Sequence, residues 1–326
     1  MITQAKDLRR GIEDCELQHS NFDELFVYLK RRVDDALEGF GSRIEWVVGP
    51  SRVGKTMLIR ALARDYPERK ESGQRSVPVL FVPVPAGISP LLLPTTVLEA
   101  LGVPLPAKGL TTGAMVGRMN AQLRLAATKV ILFEEASHLV DVGTRVLPRA
   151  AGDWFKTLSD NLNITMVLTG VPRLERLFES NEQLRLRASA RREFRPYDSR
   201  SQDEHRAFAA CVRTYADLFK EAGWPIELWL GELVPQCYLL SGGLVGIVSR
   251  FMQELATHVA YERPRTITWD DCVLAASAIQ AAGHPDFPAF AKTQVAAVEM
   301  TTAHAYVLET NGMAVRRVGP SGGARV

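Results

Sequence analysis

One eight-residue stretch, GPSRVGKT at residues 49–56, constrains the fold of this chain more than any other part of its sequence. It fits the pattern of a phosphate-binding loop, which is Gly, four residues, Gly, Lys, and then Ser or Thr. An apolar run, Ile44–Val48, leads into the stretch, and a helical pattern over residues 57–64 follows it. The sequence therefore predicts a strand, a turn and a helix whose N-terminal N–H groups converge on a phosphate.

The residue types in this loop suit a nucleoside triphosphate with Mg²⁺. Lys55 would neutralise the β- and γ-phosphate oxygens, and the Thr56 hydroxyl would complete a Mg²⁺ shell made mostly of water and phosphate. A chance Gly-rich turn is the alternative, and the flanking strand and helix argue against it. We therefore expect ATP and Mg²⁺ as cofactors, with Thr56 as a metal ligand. The candidate nucleotide-binding residues of the loop are Gly49, Pro50, Ser51, Arg52, Val53, Gly54, Lys55, Thr56 and Met57.

A second stretch, KVILFEE at residues 129–135, places two carboxylates at the end of an apolar strand. Hydrolysis of a phosphoanhydride needs one carboxylate to order Mg²⁺ and one to polarise the attacking water. We assign Glu134 to the metal and Glu135 to the water, both as catalytic residues. An ordinary charged helix start after a strand is the alternative. His138 follows nearby, where a polar-face position fits a lone histidine as well as a functional role.

Apolar strand-like runs alternate with helical patterns up to about residue 199, and only long helical patterns follow. This order predicts an α/β fold, with a parallel sheet between helices and then a helical domain. The predicted domains are an N-terminal helical lead-in over residues 1–40, a core over 41–199, a helical domain over 200–283, and a partly disordered tail over 284–326. The predicted strands cover residues 44–49, 77–85, 129–135, 164–170 and 192–197.

Length and composition are consistent with two folded domains and exclude some classes of protein. No apolar stretch in the 326 residues approaches the ~18 residues of a membrane span, and the N-terminus carries acids instead of an apolar signal region. We therefore expect a cytoplasmic protein with no membrane partner. The four cysteines are widely spaced, which favours reduced thiols over zinc ligands. The net charge of +2 leaves DNA binding open, because a local basic surface could carry it.

Five stretches resemble, in order, the TniB and TnsC family of AAA+ ATPases. This family regulates transposition and is distantly similar to the target-selection ATPase of phage Mu. The resemblance covers roughly residues 20 to 280 and implies an AAA+ P-loop NTPase fold, with a three-layer αβα core and a small C-terminal α-helical lid domain. The stretches are VVGPSRVGKTMLIRAL at the phosphate loop, VPVLFVPVPAGISP at the second strand, VILFEEASHL at the acidic pair, MVLTGVPRLERLFESNEQLR at the sensor strand, and SGGLVGIVSRFMQELATHVA at the lid helix.

The resemblance also implies site residues outside the phosphate loop. An arginine from a neighbouring subunit would complete the site, and Arg191 and Arg192 are the candidates, with a solvated basic helix end as the alternative. Arg250 on the lid helix is a candidate nucleotide contact, although a surface position is equally consistent with the sequence. The sensor position of the family falls at the apolar Val171. Thr169, on the same strand face, is a candidate substitute, with strand packing as the alternative.

The function implied by the resemblance is regulation of DNA transposition. With ATP, the subunits would assemble into a ring or helical filament, hexameric per turn, on duplex DNA. There they would select target sites with an adaptor and recruit or activate a transposase, and hydrolysis would drive disassembly. Residues 101–130 contain no Asp or Glu, which fits sequence-independent phosphate contacts, although an ordinary solvated basic helix is the alternative. The candidate DNA-binding residues are Lys108, Thr111, Thr112, Arg118, Arg145 and Arg149.

Two other functions stay open at this point. Glu134 stands where the family usually has Asp, and together with Val171 it fits slow hydrolysis or a non-hydrolysing, nucleotide-bound scaffold. Another AAA+ DNA machine, such as a helicase loader or initiator, would share the same core. An apolar cluster in the tail fits either a docking peptide or a weakly ordered terminus. That cluster consists of Pro285, Phe287, Pro288 and Phe290.

Overall fold

The structure of the protein is a computed structural model of the whole chain, and it forms two units. The core unit is Ser20–Arg195, and the helical unit combines Met1–His19 with Pro196–Val326. The two units are described separately. The structure describes residues 2–13, 15, 19–71, 73–87, 89, 92–105, 111–141, 148–260, 262–280 and 289–315.

The described residues form thirteen α-helices and seven strands, with two short 3₁₀ helices at Ala136–Val140 and Pro172–Leu174. In chain order the elements are α1 (Ile2–Glu13), α2 (Ser20–Leu37), β1 (Ile44–Val48), α3 (Lys55–Arg64), β2 (Arg69–Glu71), β3 (Gln74–Ser76), β4 (Val79–Pro83), α4 (Leu92–Ala100), α5 (Thr112–Leu125), β5 (Val130–Glu134), α6 (Pro148–Leu162), β6 (Thr165–Gly170), α7 (Glu175–Glu179), α8 (Glu182–Arg185), β7 (Arg192–Glu193), α9 (Gln202–Glu221), α10 (Leu230–Ser241), α11 (Val245–His258), α12 (Trp269–Gln280) and α13 (Ala297–Thr310).

The core unit is built on a parallel sheet with the strand order β4-β5-β6-β1-β7. The predicted parallel sheet between helices is therefore confirmed. The register pairs Val48 with Gly170 across β1 and β6, and Phe133 with Leu168 across β5 and β6. Because the strands are parallel, their carboxyl ends meet at one edge. The segments that follow β1, β5 and β6 are gathered there.

Burial on both faces explains why the strands read as continuous apolar runs in the sequence. All five residues of β1 and all six of β6 are buried. Aromatic pairs fill the space between the sheet and its helices: Trp46 lies 4.4 Å from Phe178, and Phe133 meets Phe155 edge-on at 5.2 Å between ring centroids. This apolar packing holds the carboxyl edge of the sheet rigidly in place.

Glu45 interrupts the apolar run of β1 and is fully buried. Its carboxylate accepts hydrogen bonds from the Tyr28 hydroxyl at 2.8 Å and from the Ser189 hydroxyl, and the Nε atom of Arg32 lies 3.5 Å away. The Arg192 guanidinium stacks on the Tyr28 ring at 3.8 Å. A buried carboxylate requires such partners, so Glu45 ties α2 and the segment before β7 to the centre of the sheet.

The structure differs from the sequence-based expectations at the ends of the predicted elements. The lead-in over residues 1–40 consists of two helices, α1 in the helical unit and α2 in the core unit. The β2–β3 hairpin was not predicted, because its strands are only three residues long and polar. The last sheet strand is two residues long, since only Val47 and Val48 of β1 pair with it.

The stretch beyond residue 284 contains the helix α13, where we expected a partly disordered tail. Its helical pattern is weak, and its buried face packs on α10. Within the apolar cluster of the tail, Phe290 is buried, stacks on Phe251 at 5.3 Å and accepts a hydrogen bond from Trp269 through its carbonyl. The other three cluster residues and residues 316–326 of the tail lie outside the described residues.

The helical unit consists of α1 and α9 to α13. Helix α9 begins after Ser201, whose side chain accepts from the Glu204 N–H, and ends at Glu221, shortly before Gly223, where φ is 92°. A capping hydroxyl before the first turn and a glycine with positive φ after the last turn are typical helix boundaries. Among the described residues, no single helix is long and apolar enough to cross a membrane. Helices α10 and α11 pass that test as a pair, bent by 112°.

A dense ion network at the start of α12 gives a prediction for stability. Asp271 receives two Arg265 hydrogen bonds at 2.6 and 2.9 Å and the Thr268 N–H at 2.8 Å, and His258 lies 3.3 Å away. The Arg265 guanidinium holds the pKa of Asp271 well below its ordinary value. Since the folded-state pKa is lowered, the stabilisation is present above about pH 3.9 and is lost as the pH falls below it.

Asp271→Asn should therefore lower the free energy of unfolding at pH 7 by about 2 kcal/mol, a value reduced for the partial exposure of Arg265. Urea unfolding of both proteins at pH 7 and pH 3 measures this difference. It should shrink at pH 3, because the Asp271 carboxylate is then largely protonated in the unfolded chain while it stays ionised in the folded protein. A difference that is equal at both pH values would contradict the assignment.

Candidate active site

The phosphate loop joins β1 to α3 at the carboxyl edge of the sheet, and backbone contacts hold it there. The Gly49 N–H donates to the Gly170 carbonyl at 3.1 Å, and the Phe194 N–H donates to the Val48 carbonyl at 2.8 Å. A Cβ atom on Gly49 would lie 2.3 Å from the Phe194 oxygen, so only glycine fits. Gly54 has a φ of 113°, which also favours glycine. Both glycines of the pattern are thus required by backbone geometry.

The N-terminus of α3 is suited to an anion. Its N-cap, Gly54, provides no side-chain cap, so the first N–H groups of the helix have no side-chain acceptor. Lys55 is buried, and its Nζ donates to the carbonyls of Gly49 and Pro50 at 3.0 and 2.8 Å. Burial lowers the pKa of Lys55, while Glu135 and Glu134 act in the opposite direction. An incoming phosphate would give this cation a stronger acceptor.

The other loop residues surround this point. Ser51 and Arg52 are exposed, and Arg52 adopts a φ of 65°. Val53 is buried, and Thr56 and Met57 are half-buried in the first turn of α3. The loop therefore combines an exposed rim with a packed base.

The two glutamates lie where β5 ends. Glu134 is the last residue of that strand, and its carboxylate is 3.8 Å from the Arg60 guanidinium of α3. Glu135 has a φ of 53° and a ψ of 39°, a left-handed conformation that is costly for a side-chain-bearing residue. Among the described residues, no group of three or more His, Cys, Asp or Glu side chains could hold a metal ion. A Mg²⁺ ion that binds with a nucleotide takes most of its ligands from water and phosphate.

The candidate sensor residues at the end of β6 face different surroundings. The buried Thr169 hydroxyl donates to the Phe133 carbonyl at 3.2 Å, and the Val171 N–H donates to the Ser137 hydroxyl at 3.4 Å. His138 lies in the 3₁₀ helix after β5, with Nδ1 2.8 Å from Asp141. Asp141 also pairs with Arg173 at 2.5 Å. The structure thus joins the segment after β5 to the segment after β6.

The candidate arginine fingers have partners within the core unit. Arg191 pairs with Glu175 at 2.6 Å and with Glu193 at 2.9 Å. Arg192 stacks on Tyr28, as described above. Arg191 pairs with two partly exposed carboxylates, whereas Arg192 lies against a buried network. The structure thus gives Arg191 carboxylate partners and Arg192 an aromatic one.

The candidate DNA-binding residues that the structure describes lie on or beside α5. The Thr111 hydroxyl caps α5 by accepting from the Ala114 N–H, and Thr112 is exposed. The Arg118 guanidinium donates to the Pro104 carbonyl at 3.0 Å. Lys108 and Arg145 lie outside the described residues. So does the side chain of Arg149, whose backbone is in the first turn of α6, while Arg250 is half-buried on α11 in the helical unit.

Three residues near the site were missed from the sequence. Arg60 follows Thr56 by four residues, so helical periodicity alone could have placed it on the same face of α3. Phe194 contacts the loop, and Ser137 contacts Val171, only because the sheet brings separate segments together. No sequence signal marks such contacts.

The sheet order, the phosphate loop after its first strand and the acidic pair after β5 define the fold of the AAA+ P-loop ATPases. Within that class, residues 40–195 match the family described as "TniB: Bacterial TniB protein". The resemblance predicted from the sequence is thereby confirmed over this stretch. No curated protein matches the sequence.

Three solved structures from archaea have this fold. The Orc1 protein of Aeropyrum pernix, solved in complex with DNA, has a TM-score of 0.57 and 18% identity, over 81% of this chain and 66% of that chain. The Cdc6p protein of Pyrobaculum aerophilum has a TM-score of 0.58 and 11% identity, over 93% and 83%. The Orc2 protein of Aeropyrum pernix, in its ADP form, has a TM-score of 0.58 and 12% identity, over 82% and 69%. At these identities the likeness shows the fold alone.

The Gly49 contact generates a prediction with a matched control. Gly49→Ala should displace the loop or the Phe194 backbone, and destabilise the core unit by about 2 kcal/mol, because the added methyl overlaps a carbonyl oxygen. Gly41→Ala adds the same methyl eight residues earlier, where nothing lies within 4 Å, and should change stability by under about 0.5 kcal/mol. Thermal unfolding of both variants measures the difference. Equal melting temperatures would contradict the close approach.

Proposed function

We propose that this protein is an ATP-dependent, DNA-binding regulator of DNA transposition. The observation that carries the proposal is the convergence, at one sheet edge, of a phosphate loop and two carboxylates within the stretch that matches the TniB family. In this proposal ATP acts as a switch. It favours assembly of subunits on target DNA, where they recruit or activate a transposase with an adaptor, and hydrolysis ends the assembly.

The proposed chemistry follows from the site geometry. The uncapped N–H groups of α3 and the Lys55 ammonium bind the phosphates, and Thr56 and Glu134 are the residues that would hold Mg²⁺. The ion supplies charge neutralisation at the phosphate oxygens when bound. Glu135 accepts the proton of the attacking water. Thr169, on β6 next to β5, would sense the γ-phosphate instead of the apolar Val171. Arg250 would contact the nucleotide from the lid domain, residues 200–283.

Structures with the same fold support the nucleotide and DNA parts of this proposal. The Orc2 protein was solved in its ADP form and with ADPNP and ADP, and the Orc1 protein was solved with DNA. In this chain, the acid-free stretch of residues 101–130 offers a basic surface for phosphate contacts. Assembly into a ring or filament would let each subunit contribute a few such contacts.

A second candidate function is a nucleotide-bound scaffold that does not hydrolyse ATP. Two observations favour it: the Thr169 hydroxyl donates to the Phe133 carbonyl, and the sensor position is the apolar Val171. The two candidates differ in phosphate release. With duplex DNA present, a hydrolysing protein releases phosphate at a rate that Glu135→Gln abolishes, whereas a scaffold releases none above that variant.

Nucleotide-dependent DNA binding is the central prediction of the proposal. With a slowly hydrolysed ATP analogue, the protein should bind duplex DNA of any sequence as rings or filaments visible by electron microscopy, and Lys55→Ala should not. The double variant Lys108→Glu/Arg118→Glu should keep nucleotide binding but weaken DNA binding and flatten its salt dependence by a slope of about two. Fluorescence anisotropy at several salt concentrations measures both effects.

The control variant makes the same change in net charge, but on the helical unit instead of the core unit. Arg213→Glu/Lys220→Glu alters two exposed residues of α9 and should leave the salt dependence unchanged. Normal DNA affinity in the Lys108 and Arg118 variant would remove the DNA surface from the proposal. Retention of a transposase from a TniB-containing transposon on the DNA-bound protein tests the transposition part.

The proposed arginine finger predicts complementation between inactive variants. Arg191→Ala and Glu135→Gln should each hydrolyse ATP at least about tenfold more slowly than the wild type. In a head-to-tail assembly, an equal mixture of the two should recover about a quarter of wild-type activity, because an intact site forms wherever the Glu135→Gln subunit donates its Arg191. Steady-state phosphate release of the mixture measures this recovery.

Two results bear on the choice of arginine. A mixture that stays inactive places Arg191 outside a shared site. Arg192→Ala serves as the comparison, and recovery in its mixture but not with Arg191→Ala would identify Arg192 as the finger. Loss of folding in Arg192→Ala, seen by circular dichroism, would instead support its packing on Tyr28.

A further inference from the structure

We propose that Ser137 is a positioning residue for Glu135, and that it joins the Glu135 carboxylate to the end of β6. This inference rests on the proposed hydrolysis, because it gives Glu135 its orientation towards the attacking water. It also gives this chain a polar link between β6 and the carboxylate, although the sensor position is the apolar Val171.

The Ser137 hydroxyl lies between a carboxylate that accepts a hydrogen bond and a backbone N–H that donates one. Its Oγ lies 3.5 Å from the Glu135 carboxylate, to which it donates, and 3.4 Å from the Val171 N, from which it accepts. A hydroxyl has one proton and two lone pairs, so both contacts are satisfied at once. Both distances are at the long end for hydrogen bonds, as is common before a substrate draws a site together.

Close packing makes this contact specific to its position. Ser137 is fully buried, and a Cβ atom on Gly170 would lie 3.0 Å from both the Cβ and the backbone N of Ser137. Gly170 is also the residue whose carbonyl accepts from the Gly49 N–H of the phosphate loop. Gly49, Gly170, Ser137 and Glu135 therefore form one contiguous path from the loop to the carboxylate.

The backbone at Glu135 explains why such a link is needed. Its left-handed φ of 53° breaks the regular structure after β5, so neither strand nor helix geometry fixes the direction of its side chain. The following 3₁₀ helix is anchored at its far end, where Asp141 pairs with Arg173 and with His138. With that end anchored, the Ser137 contact sets where the carboxylate points.

Kinetics provides the first test. Ser137→Ala should lower the rate of ATP hydrolysis roughly tenfold and leave the affinity for an ATP analogue within about twofold of wild type, because the lost hydrogen bond orients the carboxylate and touches no phosphate. Ser159→Ala is the matched control, since Ser159 is a buried serine of the same unit whose hydroxyl bonds Ser42 at 2.8 Å. It should leave the hydrolysis rate unchanged.

A double-mutant cycle on hydrogen exchange tests the shared contact without any turnover. If the Ser137 hydroxyl bonds both Glu135 and Val171, Glu135→Gln should change the exchange rate of the Val171 amide roughly threefold when residue 137 is serine. The same substitution should leave that rate unchanged in the Ser137→Ala background. Ser137→Cys fills nearly the same space with a weaker donor and gives an intermediate change. It replaces the alanine variant in both tests if that variant does not fold.

The outcomes separate the inference from the proposed function. Additive effects on Val171 exchange, or a wild-type hydrolysis rate in Ser137→Ala, would overturn the role of Ser137. If the wild type releases no more phosphate than Lys55→Ala, hydrolysis is absent and the proposed function fails. The exchange cycle then still decides whether Ser137 links Glu135 to β6.

Discussion

The structure depends on the close contact between two backbones where β1 ends. Gly49 lies against the Phe194 carbonyl and donates its N–H to Gly170, so strands β7 and β6 fix the start of the phosphate loop from both sides. A side chain at this position would force the sheet apart or displace the loop. The direction of α3, the place of Lys55 and the reach of the loop towards Glu134 and Glu135 all follow from that contact.

The sheet and the phosphate loop were predictable because their signals are local. Strands buried on both faces read as apolar runs, and a loop that wraps a phosphate needs glycine, lysine and a hydroxyl at fixed spacing. Glu134 and Glu135 were placed at the end of their strand for the same reason. The partners of these residues were not predictable. Arg60 is four residues from Thr56, but its proximity to Glu134 depends on how α3 packs on the sheet.

Contacts made by separate segments of the sheet distinguish two neighbouring arginines that the sequence alone does not. Arg191 and Arg192 are neighbours in a basic run, yet one pairs with partly exposed carboxylates and the other packs on Tyr28 beside the buried Glu45. A buried carboxylate in a central strand demands compensating groups around it, and no short-range pattern reveals which groups those are. The helix α13 was missed for a related reason, because its weak periodicity becomes informative only once α10 covers its buried face.

The chain enters and leaves the core unit at adjacent points. Asn21 donates to the Arg195 carbonyl at 3.5 Å, at the two ends of that unit, and within the helical unit His19 bonds the Tyr197 hydroxyl. The core unit is thus inserted, like a cassette, into a chain whose remaining parts already meet. A short bridge from His19 to Pro196 would therefore close the helical unit without the core unit between them.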